Sequence, residues 1–168
     1  RRPLGFTRQP VCERLEDRAL LAAGPYLHVH DVDRLAVVDA ASGDFDTIQR
    51  MTGFQGETKM NDLAFSPTGQ LYGSAPDWLY EIDPVSGVLT PMGEHGIPNA
   101  TSLVFNPAGK LQAMGSTEGY LYQLEISDTA LIGEPLRIAT LSEIDGSAVQ
   151  GSRGDIAYYN GDLLVATE

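Results

Sequence analysis

Three short segments of this 168-residue chain stand in the same place relative to an apolar run: Asn61-Asp62 before Leu63, Thr101-Ser102 before Leu103, and Gly154-Asp155 before Ile156. Brought to one point, the carboxylates of Asp62 and Asp155 could ligate Ca²⁺, a hard cation that takes oxygen ligands, or hold a polar substrate. Asp and Ser also accept hydrogen bonds from nearby backbone N–H groups, and turn chemistry alone calls for these residue types at such places. Ahead of Asp155 runs a long Gly- and Ser-rich stretch, Ser142–Gly154 (SEIDGSAVQGSRG), with Arg153 as its one cation. A lengthened loop of this kind is a plausible recognition element, although surface loops also tolerate insertion at little cost.

A second set of candidate ligands is His28 and His30, two residues apart and therefore on one face of a strand. With Asp31 or Asp33 beside them they could hold a transition metal, but two imidazoles without a cysteine fall short of the usual ligand set. His95 stands alone between turns and is expected in solvent. Asp31-Val32-Asp33 and Asp44-Phe45-Asp46 do not have EF-hand spacing, and no Gly-x-Ser-x-Gly elbow, phosphate-binding loop or dinucleotide fingerprint occurs. No serine has a reproducible histidine partner. The residues therefore point to no catalytic constellation, and a non-enzymatic role is the expectation.

The elements that must position these residues follow from an internal repeat. Leu27–Gly43 (LHVHDVDRLAVVDAASG) superimposes without a gap on Leu71–Gly87 (LYGSAPDWLYEIDPVSG), 44 residues on. Leu63–Leu71 (LAFSPTGQL) superimposes on Leu103–Leu111 (LVFNPAGKL), 40 residues on. A period of this size, built of short apolar runs with Gly and Pro punctuation, is the signature of β-propeller blades. One unit reads as Asn61–Ser66, a turn at Pro67-Thr68-Gly69, Gln70–Ala75, Trp78–Asp83, a turn at Pro84–Gly87 and a short outer strand over Val88–Met92. The next reads as Thr101–Asn106, Lys110–Met114, Tyr120–Ile126 and a fourth strand within Leu131–Thr140. Trp78, Tyr80, Tyr120 and Tyr122 alternate along third strands and are expected to pack between blades. The first unit has strands at Tyr26–His30, Arg34–Asp39 and Asp44–Arg50 but no inner strand. The last has only Asp155–Tyr159 and Asp162–Thr167, joined at Asn160-Gly161.

The expected fold is thus all-β: propeller blades of four antiparallel strands in an incomplete ring, with the first and last blades partial. The units lie at about 26–50, 61–93, 101–140 and 155–168, fewer than the four to eight full blades that close a ring. The remaining blades, and the missing inner strand of the first, are expected from sequence beyond Glu168.

Charge is unevenly spread. The net charge of −12 arises from 11 basic and 23 acidic residues, and residues 1–23 are net basic, so the blades hold the acidic excess. Such a surface disfavours nucleic acid and anionic lipid. No apolar run is long enough to span a membrane. Cys12 is the single cysteine, so no intrachain disulfide forms.

The pattern Leu-x-Phe-x-Pro-x-Gly-x-Leu, followed by Leu-Tyr-x-Ile-Asp-Pro-x-Ser-Gly, resembles the YVTN/NHL-like propellers common in bacterial extracellular proteins. Such blades carry binding proteins and enzymes alike. Residues 1–24 stand outside the repeat, and Leu15-Glu16-Asp17-Arg18-Ala19-Leu20-Leu21 resembles the LEPR-x-LL motif near the N-termini of planctomycete-type surface proteins, with Asp17 in place of the usual Pro. That resemblance implies export to the cell surface or beyond. A secreted or surface propeller acting as a binding or structural module, with an extracellular protein or glycan as partner, is the leading expectation. The alternative is part of a Ca²⁺-dependent propeller enzyme of lactonase or quinoprotein type, with its site in the central channel.

Overall fold

The computed structural model describes residues 26–142, 151 and 155–166. Segment 1–24, on which the expectation of export rests, lies outside the described residues together with Cys12, as do Arg153 and most of the loop before it. Every regular element described is a strand, in the order β1 (Tyr26–Asp31), β2 (Arg34–Asp39), β3 (Phe45–Arg50), β4 (Asp62–Phe65), β5 (Leu71–Ser74), β6 (Trp78–Ile82), β7 (Leu89–Glu94), β8 (Ala100–Phe105), β9 (Leu111–Gly115), β10 (Tyr120–Ile126), β11 (Leu131–Thr140), β12 (Ile156–Tyr159) and β13 (Asp162–Val165). No helix among the described residues is long and apolar enough to cross a membrane.

The strands form four antiparallel sheets that act as successive propeller-like blades: β1-β2-β3, β4-β5-β6-β7, β8-β9-β10-β11 and β12-β13. Among the described residues the first sheet has three strands and the last has two. Several strand ends differ from the sequence pattern by a residue or two, as at Asp31 of β1 and Gly115 of β9. The outer strand of the second blade runs to Glu94 because a bulge opposite Leu79/Tyr80 absorbs one residue and lets Glu94 pair with Trp78.

Local chemistry sets the turns. Asp39 Oδ1 accepts from the N–H groups of Ala41 and Ser42 at 2.7 and 3.1 Å, and Asp83 Oδ1 does the same for Val85 and Ser86 at 2.8 and 3.3 Å. These Asx turns are the structural content of the repeated Asp-x-x-Ser-Gly. In the last blade Asn160 and Gly161 both have positive φ, 51° and 92°, as a two-residue type I′ hairpin requires.

The core lies between blades rather than inside any one of them. Alternation along β5 sends Leu71 and Ala75 toward the first blade, where they join Leu35, Met51, Met60, Tyr80, Ile82 and Leu89. The opposite face, with Tyr72 and Leu79, meets Ile97, Ala100, Leu103, Leu111 and Ala113 around the third blade. Beyond it, Met114 and Leu121 bury Ile156 of the fourth, with Leu163 and Val165 packed alongside. Of the four third-strand aromatics, Tyr80 is fully buried and Trp78 packs beside it, Tyr122 is partly buried against the second layer, and Tyr120 carries the Arg137 guanidinium 3.2 Å over its ring.

Gly115 ends β9 where the loop into β8 crosses it, and a Cβ there would drive into the Pro98 carbonyl oxygen. That obstacle is backbone and cannot swing aside. Gly115→Ala is expected to lower stability by about 1–3 kcal/mol, the usual range for overpacking, read as a lower urea midpoint at unchanged m-value.

Candidate functional site

The inner strands β4, β8 and β12 stand side by side, so the polar residues Asp62, Ser102 and Asp155 gather at one end of these strands. In β4, Asp62 pairs with Ser74 of β5 and points toward the third blade. Its carboxylate bridges two blades: Oδ1 accepts from Leu63 N–H at 2.7 Å, and Oδ2 accepts from Leu103 N–H of the neighbouring inner strand at 2.6 Å. Asn61 supports the same seam, with Nδ2 donating to the Ala100 carbonyl at 2.6 Å. Asp155 holds the equivalent place in the fourth blade, and its Oδ1 accepts from Ile156 N–H at 2.7 Å. Between them, Ser102 is fully buried and Thr101 half-buried, and all three of Thr101, Ser102 and Asp155 are engaged in further interactions. The structure thus brings together Asn61, Asp62, Thr101, Ser102 and Asp155.

Electrostatics at this seam favour protonation. Burial pushes the Asp62 carboxyl up to about 7; the two backbone N–H groups pull it back, and the Asp155 carboxylate adds a further upward push. Asp155 is thus close enough to Asp62 for its charge to be felt there, as the last and smallest of these effects. Among the described residues no group of three or more His, Cys, Asp or Glu side chains is arranged to hold a metal ion.

His28 and His30 do lie on one face of β1, but that face is turned to the second blade. The His28 ring meets the Phe65 ring edge-on with centroids 4.9 Å apart. His30 Nδ1 is buried without a hydrogen-bond partner. Desolvation lowers the pKa of both imidazoles. No third ligand completes a site with this pair among the described residues.

The expectation for His95 is overturned. It is 1% exposed, turned inward from the loop between β7 and β8 to which it belongs. Nδ1 accepts from Ile97 N–H at 3.2 Å, so that nitrogen carries no proton; Nε2 must then be the protonated one, and it donates to the Ala75 carbonyl at 3.0 Å. Ser74 Oγ lies 3.5 Å from Nε2, yet a nitrogen that bears the proton cannot act as base toward it. The pair is a clamp on two backbone groups, not a nucleophile with its base. Burial lowers the imidazole pKa, against smaller upward effects of Ala75 and Asp77. The sequence carries one faint signal for this role: His95 precedes Ile97, whose apolar side chain must be buried beside it.

No family model matches the chain, and no curated protein matches it. Among solved structures it is similar to a protein of unknown function from Bacteroides caccae, at a TM-score of 0.51 and 12% identity over 86% of this chain. That similarity bears on the fold alone. The chain spans 66% of that structure's length.

Substitutions at two residues separate the roles of these groups. His95→Ala leaves two buried backbone groups unpaired and is expected to cost about 2–4 kcal/mol, with His95→Gln recovering part of it by keeping a donor to Ala75. The pH dependence has opposite signs at the two sites. Asp62 holds its proton more tightly folded than unfolded, so its contribution is full near pH 4 and is lost as pH rises toward 7. His95 binds its proton less tightly folded than unfolded, so its contribution is full above the unfolded value of 6.5 and is lost on acidification. In urea midpoints measured from pH 4 to 8, Asp62→Asn is expected to flatten the first trend and His95→Gln the second.

Proposed function

We propose that this chain is part of a secreted or cell-surface β-propeller of YVTN/NHL-like type that serves as a non-enzymatic binding or structural module for an extracellular protein or glycan. One observation carries this reading. The polar side chains at the mouth use their bonding capacity on the backbone of adjacent blades, Asp62 through both oxygens and His95 through both nitrogens, and so act as fasteners. Export is the contribution of the LEPR-like segment, and the acidic blades support a surface that avoids nucleic acid.

Continuation of the ring by further blades, expected from sequence beyond Glu168, belongs to the same proposal. The outer face of the first blade leaves Leu27 55%, Val29 40% and Ile48 57% exposed, and Leu164 of the fourth is 53% exposed. Another sheet on each face would cover these side chains as the inner layers cover theirs.

A second reading, a Ca²⁺-dependent enzyme of lactonase or quinoprotein type, draws on the mutual repulsion of Asp62 and Asp155, which a cation between them would relieve. Thermal melting with chelator and with added Ca²⁺ tests the two. The binding-module reading expects the same melting temperature in both. A rise of several degrees with Ca²⁺ that disappears in Asp62→Asn would transfer the proposal to the enzyme.

A further inference from the structure

An open-mouthed cavity of about 330 Å³ lies between the second and third blades, at the end of the sheets opposite the Asp62–Asp155 mouth. Its floor is apolar: Tyr72 from β5, Phe105 from β8 and Ile126 from the end of β10. Its rim is polar, with Thr68 and Gln70 from the turn between β4 and β5 on one side and Asp128 from the turn between β10 and β11 on the other.

Tyr72 marks the cavity as more than a gap between sheets. The residue is only 5% exposed, and its ring lies against Phe105 with centroids 5.5 Å apart. Other inward tyrosines have their hydroxyls partnered: Tyr80 takes the Gln55 N–H at 2.8 Å, Tyr122 donates to Glu118 at 3.1 Å, and Tyr158 donates to Gln112 at 2.7 Å. The Tyr72 hydroxyl has no hydrogen-bond partner among the described residues, nor is it sealed from solvent, which leaves it opening into the cavity that Tyr72 lines. The nearby Glu81 and Asp128 carboxylates add to burial in holding its proton on, so it is presented as a donor.

The rim is set rather than floppy. Thr68 Oγ1 donates to Gln70 Oε1 at 2.6 Å and lies 2.9 Å from Ser66 Oγ, which also takes the Gln70 backbone N–H at 3.0 Å. With Oε1 occupied, the Gln70 amide presents its NH₂ as the free end. The lining includes no lysine or arginine, so an anionic ligand would meet only the Asp128 carboxylate. A cation would use the carboxylate but not the Gln70 and Tyr72 donors, and the tilt of 56° between the Tyr72 and Phe105 rings gives no cage of facing aromatics. A pyranose ring uses all of it: C–H groups against the aromatic and Ile126 floor, hydroxyls that accept from Tyr72 and Gln70 and donate to Asp128.

We infer that this interblade cavity is a binding site for one neutral saccharide unit, seated on Phe105 and Ile126 and oriented by Tyr72, Gln70 and Asp128. The inference deepens the binding-module reading, on which it rests for the choice of a glycan among partners.

The test is saturation-transfer NMR on the full chain with methyl pyranosides of glucose, galactose, mannose and N-acetylglucosamine. Tetramethylammonium and inorganic phosphate serve as controls. Ring protons of at least one glycoside are expected to be saturated. Asp128→Asn and Gln70→Ala, both in exposed turns away from the core layers, should each weaken binding by about fivefold to tenfold at unchanged melting temperature. Saturation undiminished in both variants would put the sugar elsewhere and overturn this site while leaving the binding module standing. Binding of tetramethylammonium or phosphate in place of every glycoside would overturn the ligand class. A chain that saturates no glycoside also overturns the site, and the calcium melting experiment then decides separately whether the module reading survives.

Discussion

A sheet whose strands are apolar on both faces has to be covered twice, and among the described residues it is another sheet that does it. Leu71 and Tyr72 are consecutive residues of one strand and belong to different core layers. That single fact forces the stack. The second blade cannot be stable as an isolated meander, because it would leave one of the two layers wet, at about 25 cal/mol for each Å² of apolar surface uncovered. Its neighbours are therefore part of its own folding, and the turns, the bulge opposite Leu79 and the crossing of Gly115 by Pro98 serve to bring sheets to contact distance.

Most polar groups caught in these seams find partners on the neighbouring blade, in its backbone or, for Tyr158, in a side chain. Asp62 reaches across to Leu103, Asn61 to Ala100, Gln49 to Pro84, and Tyr158 to Gln112. Each bond joins one blade to the next, and a lateral shift of the sheets would break it. Burial makes these groups costly when unpaired and strict about geometry when paired. The Asp62 seam is electrostatically tense, chiefly because the carboxyl is buried and in smaller part because Asp155 adds a like charge, while the His95 clamp is neutral and fixed in one tautomer. Asp62 and His95 thereby help to hold adjacent sheets and loops in register.

How far the sequence could be read depended on whether a residue's partner was itself encoded by type. The register of Leu63 with Leu103, and of Asp39 with Asp83, is carried by side chains that repeat, so the blades and their Asx turns were legible to within a residue or two. Asp62, Ser102 and Asp155 were legible as equivalent positions for the same reason. His95 was not: its partners are the Ala75 carbonyl and the Ile97 N–H, which every residue type possesses, and its loop has no counterpart in the aligned units. The Tyr72 hydroxyl was invisible for the opposite reason, since what distinguishes it from Tyr80 is the lack of the bond that Gln55 makes to the latter.

The layered core has a consequence for how the molecule comes apart. Removing the second or third blade would uncover two layers, whereas peeling away the two-stranded sheet β12-β13 uncovers one, around Met114, Leu121 and Ile156. Unfolding therefore has a preferred direction, from the ends of the arc inward, with the amides of β5 and β9 exchanging last and those of β1 and β13 first. In such an arrangement cooperativity is a property of contacts between repeats, so a covering sheet at either end would raise the protection of residues several strands away without touching them.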